Sequence, residues 1–288
     1  MDKSVKFKTM GLLYLVIVLF ASAAAVLFCK IFRINILIAE GIILVLAVPV
    51  TFVVFKILLS REKNKPYSKV YSEFHKELFT NGYTERFFEL SEKAINAYKN
   101  GEKIDTVYLK DFVLYTVDYY NSMEQYDKAL SLIMLLNEND YNGKSSLFID
   151  HGMSALMYYG CLMETYRGLN DKGNAINLIE RARPVLDMDH KYEVFNMYVD
   201  AIYYNYYMLI ENYERAGEFV DKLVSYTSPE SARFFTRYFI DAEFKLHQGR
   251  RQEASDAIKK MEALFEGDQK HLFEFYYSVF LKRLGFNQ

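Results

Sequence analysis

The stretch 159–182 constrains this chain most. Tyr159, Leu162 and Tyr166 recur at i, i+3 and i+7, the spacing of one helix face. Residues 168–173, Gly-Leu-Asn-Asp-Lys-Gly, interrupt that helix with turn formers. Ala175, Ile179 and Ala182 then make a second apolar stripe, again at helical spacing. Two short amphipathic helices joined by a tight turn cannot cover both apolar faces alone. The rest of the chain is expected to supply neighbours of the same kind.

The composition permits this. Only 4 Pro and 13 Gly punctuate 288 residues, and 25 Tyr with 23 Phe supply core material in the absence of Trp. Cys29 and Cys161 are too few for a disulfide framework or a metal pair, so both are expected reduced and buried. The net charge of −2 hides an asymmetry. Residues 1–59 hold six Lys/Arg against Asp2 and Glu40, which leaves 29 basic and 35 acidic residues in the remainder. A mildly acidic remainder does not suit phosphate-backbone binding, and no nucleic acid is expected as a partner.

Residues 10–29 are uncharged and 36–59 nearly so, each long enough to span a bilayer. Read together they form a transmembrane helical hairpin. The Lys/Arg pattern (Lys3, Lys6 and Lys8 before it, Arg61, Lys63, Lys65 and Lys69 after it) puts both termini in the cytoplasm. The expected location is the cell membrane, as a multi-pass protein. A cleaved signal peptide is disfavoured because the apolar run continues through Phe28 and a second follows. Glu40 reads as interfacial, because 41–59 is long enough to span without it. Residues 60–66 read as a charged linker.

From residue 67 onward, helix pairs are expected at 67–80 with 84–99, 105–121 with 124–138, 150–168 with 171–186, 190–209 with 211–226, and 229–247 with 250–265. A last helix at 268–284 carries Leu272, Phe275, Tyr276, Val279 and Phe280 and would cover the end of the stack. The fold class is therefore all-α: two transmembrane helices, then an α-α superhelix of about five pairs plus a capping helix.

This pattern resembles tetratricopeptide repeats. The small residue early in the second helix of each pair is Ala129, Ala175, Ala216 or Ala254, with Phe87 in the first pair. Tyr126 and Tyr213 stand three before Ala129 and Ala216, and Gly249 five before Ala254, where the family often has an aromatic and a glycine. Anchor spacings of 42, 46, 41 and 38 exceed the roughly 34 of the strict repeat, so the chain is similar to the family rather than a clean array. The resemblance implies a concave groove lined by the first helices. Its position scheme puts Lys76, Asp118, Glu164, Asn205 and Glu243 there. Asp118, Glu164, Asn205 and Glu243 are the candidate partner-binding residues, and their acidity suggests a polar or basic protein segment as ligand.

Catalytic patterns are missing from the sequence. It has no phosphate-cradling glycine loop, no Gly-x-Ser-x-Gly, no His-Glu-x-x-His and no Cys-x-x-Cys. The densest metal-like cluster, residues 187–190, reads as helix capping or a solvated loop. Tyr203 and Tyr207, at i and i+4, read as a buried stripe, with Tyr204 and Tyr206 elsewhere on their helix. No enzyme activity, cofactor, metal or small-molecule substrate is expected. The function expected is a membrane-anchored scaffold or adaptor that binds protein partners. The alternative is an accessory subunit of a membrane transport or secretion complex, with the hairpin as its interaction site.

Overall fold

The computed structural model describes residues 14, 16–19, 47–57, 66–141, 151–188, 190, 192–228, 234–265 and 269–286. The chain divides into two compact units, Met1–Ser68 and Lys69–Gln288.

In the first unit the membrane assignment requires correction. Among the described residues no helix is long and apolar enough to cross a membrane. Of the second expected span, 36–59, residues 47–57 are described, and they are helical. The multi-pass location is accordingly withdrawn. Most of the span 10–29, the N-terminal tail, Cys29, Glu40 and residues 60–65 lie outside the described residues.

In the second unit all regular structure among the described residues is helical. The α-helices are α1 (Ser68–Asn81), α2 (Glu85–Lys99), α3 (Thr106–Ser122), α4 (Tyr126–Ile133), α5 (His151–Gly168), α6 (Lys172–Leu186), α7 (Glu193–Leu209), α8 (Tyr213–Ser225), α9 (Thr236–His247), α10 (Arg251–Glu262) and α11 (Lys270–Arg283). A single 3-10 turn, Glu138–Asp140, follows α4, which ends at Ile133 instead of running to 138. The start expected at 229 for the ninth helix lies outside the described residues.

Sequence explains where these helices begin and stop. Thr84, Asp105, Asp171 and Asn212 each cap a helix start, the side-chain oxygen accepting a backbone N–H two or three residues on. Five turns repeat one geometry. Gly82, Glu124, Asn170, Glu211 and Gly249 all have positive φ. Each stands five residues before Phe87, Ala129, Ala175, Ala216 or Ala254, and all five of those side chains are fully buried. In the last four turns the next residue donates its N–H to the carbonyl five back: Gln125 to Tyr120, Asp171 to Tyr166, Asn212 to Tyr207 and Arg250 to Lys245. That is the Schellman closure, which uses the last helical carbonyls. Asn170→Ala is expected to cost about 1 kcal/mol, because a Cβ without local hydrogen bonding is strained there, while Asn170→Gly costs nothing. Equal urea midpoints for the two variants would refute this.

The helices form two layers. α3, α5, α7 and α9 pack side by side in an inner row, while α4, α6, α8 and α10 each pack on the preceding inner helix. Phe74 of α1 stacks on Phe87 of α2 and packs against Phe112 of α3, joining the first pair to the row. A buried polar ladder sets the register of α3 against α5. The Asn121 amide donates to the Cys161 carbonyl at 2.9 Å, and the Thr165 hydroxyl donates to Asn121 Oδ1 at 2.9 Å. Both side chains are fully buried, and Thr165 can fall back on the Cys161 carbonyl of its own helix at 2.8 Å, so a slip would leave the Asn121 amide unpaired at a cost of about 1–3 kcal/mol. The last helix does more than cover one end: α11 packs on α10 and also on α3.

Candidate functional site

The ladder that registers α3 with α5 also sets the site. Asp118 lies one turn before Asn121, and Glu164 immediately before Thr165, so locking those two amino acids brings the carboxylates to one face. Asn205 of α7 and Glu243 of α9 reach the same face. All four line a cavity of about 250 Å³, whose remaining wall includes Tyr276, Phe280 and Arg283 of α11. Lys76 is exposed on α1 and does not line it.

None of these carboxylates is free. Arg167 Nη1 donates to Glu243 Oε2 at 2.9 Å and to Asn205 Oδ1 at 2.7 Å. The Tyr204 hydroxyl donates to the same Glu243 oxygen at 2.7 Å. Arg283 Nη1 donates to Glu164 Oε1 at 3.2 Å, and its Nε lies 3.6 Å from Glu124 Oε1. Asp118 Oδ2 accepts from the Tyr83 hydroxyl at 3.0 Å and from the Tyr276 hydroxyl. The acidic lining expected from sequence is therefore largely neutralised from within.

Environment separates Asp118 from Glu243. Burial pushes the Asp118 carboxyl up to about 6; the Tyr276 hydrogen bond opposes this, Glu164 adds to it, and the Tyr83 bond opposes it again. Burial alone would also raise Glu243, but the Arg167 charge and hydrogen bond, with Tyr204 donating, hold it below its ordinary value. Burial works against the charge on Arg167 too, and Glu243 outweighs it, so the guanidinium stays protonated. Tyr83, Tyr204 and Tyr276 are pushed well above the usual phenol range, first by burial and then by the neighbouring carboxylates. They are hydrogen-bond donors here, not bases.

Sequence reasoning missed Arg167, Tyr204, Tyr83, Tyr276 and Arg283 as members of this site. A local signal existed for Arg167, three residues after Glu164 and so on the same helix face. The tyrosine cluster of α7 is also corrected. Tyr204, not Tyr203 or Tyr207, is the fully buried member. Tyr203 and Tyr207 stack half-buried on Phe219 of α8 at 5.1 and 5.6 Å, because α7 is covered on more than one side. Asp187 closes α6 instead of capping α7, whose N-cap is Tyr192 without a side-chain bond. Among the described residues no group of three or more His, Cys, Asp or Glu could hold a metal ion.

Compared with protein-family models, with curated proteins and with solved structures, the chain shows no match.

Proposed function

We propose that the helical unit 69–288 is a protein-interaction scaffold of the tetratricopeptide-like kind, without enzymatic activity. The observation that carries this reading is the repeated register: five left-handed turn residues, each five positions before a fully buried residue that is alanine in four of the five. Stacked helix pairs of this sort bury one continuous core and leave a continuous inner face for extended contact. The inner face reads as the binding surface, with Asp118, Glu164, Asn205 and Glu243 on it. The three acids there are held by neighbours, which suits an interaction surface better than a proton-transfer site.

The test is photo-crosslinking of the full chain in extract from its native source. One variant carries a photoreactive phenylalanine at Thr236, which lines the cavity, and another at Glu180, exposed on α6. Discrete protein adducts from position 236 that position 180 lacks are the expected result. Identical adducts from both, or none beyond the chain itself, would overturn the reading.

A further inference from the structure

We propose that α11 is a built-in occupant of a partner site: the face made by α3, α5 and α9 takes a basic, aromatic amphipathic helix of another protein, which displaces α11. The proposal rests on the scaffold reading and names the chemistry of its partner.

α11 meets this face as a helix meets a groove. Leu272, Tyr276 and Phe280 are buried at intervals of four, and Arg283 follows three residues later on the same side. Their contacts lie far away in sequence. Tyr276 stacks on Phe235 at 4.4 Å between ring centroids, and Phe280 on Phe239 at 4.1 Å. The Arg283 guanidinium lies 4.9 Å from the Phe239 ring centroid while it bonds Glu164. These are aromatic anchors with a basic end, the combination that dominates helix recognition.

Withdrawing α11 has a selective effect on charge. The Arg167–Glu243–Asn205 cluster contains no α11 residue and stays paired. Glu164 and Glu124 lose Arg283, and Asp118 loses Tyr276. The vacated face thus offers the rings of Phe235, Phe239, Tyr83 and Tyr119 beside three carboxylates. Of the acids anticipated from sequence, Asp118 and Glu164 are released in this open form, while Glu243 stays on Arg167. A helix carrying aromatics and a Lys or Arg one turn further on is its complement, and an acidic protein surface would be repelled.

The probe is a fluorescent peptide of residues 269–286, added to the full chain. In the wild type the tethered α11 competes at high effective concentration, so the peptide binds weakly. In Arg283→Glu the tethered helix is loosened, and peptide affinity should rise by about tenfold or more as the open form becomes populated. A peptide carrying the same Arg283→Glu change should not bind. Unchanged affinity in a variant of native helicity, or equal binding of both peptides, overturns the proposal. Should that variant unfold, hydrogen exchange on the wild type decides: α11 amides opening separately from α5 support the proposal, and one common rate overturns it. A concentration-dependent dimer with exchanged α11 would make a second copy the occupant and overturn the partner assignment. Crosslinks at position 236 without any effect of Arg283→Glu would leave the scaffold reading standing and remove this proposal alone.

Discussion

Arg167→Ala is expected to be among the most destabilising single changes in the helical unit, costing about 3–5 kcal/mol, because it strips the partner from a carboxylate that stays inside. Glu243 and Arg167 are each 21% exposed in their side chains, too little for solvent to replace the lost pair. The loss does not stop at one bond. Asn205 Oδ1 loses its donor, and Glu243 keeps only the Tyr204 hydroxyl. Arg167 also sits over the Tyr204 ring at 5.4 Å, so its removal leaves a gap against a fully buried tyrosine. Urea unfolding followed by circular dichroism reads the effect directly.

A second variant separates charge from shape. Arg167→Met combined with Glu243→Gln keeps similar volumes and an acceptor for Tyr204 while removing both charges. Buried pairs replaced together are often close to neutral, so the double variant should recover at least half of the loss. A double variant no better than Arg167→Ala would mean that the site is held by packing and not by its charges. The same logic rules out charge reversal of Asp118, Glu164 and Glu243 to Lys as a test of partner binding. Such a chain would fail to fold before binding could be read.

Much of this architecture was legible because it is local. Apolar stripes at i, i+3, i+4 and i+7 located the helices of the second unit, and the turn residues marked most of their ends. Alanines at 129, 175, 216 and 254 stood out because only a small side chain suits a close helix–helix approach, and all four are fully buried. Asp118, Glu164, Asn205 and Glu243 were found by counting one position per repeat, and they do share a cavity. Their neutralisation was not legible. Arg167 meets Glu243 across 76 residues, Arg283 meets Glu164 across 119, and Tyr276 meets Tyr83 across 193. Counting within a repeat assigns a face to each helix but says nothing about a last helix that returns to the first pairs. The tyrosines of α7 failed for a related reason: spacing shows which side chains share a face, not which face is covered more deeply. The membrane assignment failed differently. It rested on the apolar length of 10–29 and 36–59, and among the described residues no helix is long and apolar enough to cross a membrane.

Asp118→Asn should make the protein more stable at neutral pH and nearly unchanged near pH 4. The sign follows from the direction of the shift. In the folded chain the carboxyl titrates at about 6, above its ordinary 3.8, so well below pH 3.8 it is protonated in both states and contributes its full stabilisation. Between about pH 4 and 6 the unfolded chain gives up its proton while the folded chain keeps it, and stability falls as pH rises. The interval from 3.8 to about 6 corresponds to a ceiling of about 3 kcal/mol, reduced where the cavity lets solvent screen the charge. The groups that set this value come from separate elements: Tyr83 before α2, Glu164 on α5 and Tyr276 on α11. Asparagine keeps an oxygen to accept from the two tyrosines and carries no charge to desolvate, so it imitates the protonated acid at every pH. The measurement is the difference in unfolding free energy between variant and wild type at pH 4, 5, 6 and 7. A difference that grows towards pH 7 supports the assignment, whereas a constant one would show that Asp118 titrates in the folded chain where it does in the unfolded one. Glu164→Gln should shift the wild-type transition to lower pH, since it removes the repelling neighbour while leaving both tyrosine bonds to Asp118 in place. Arg283 would then face a neutral amide, so that variant also probes whether the α11 contact depends on charge or on its aromatic anchors.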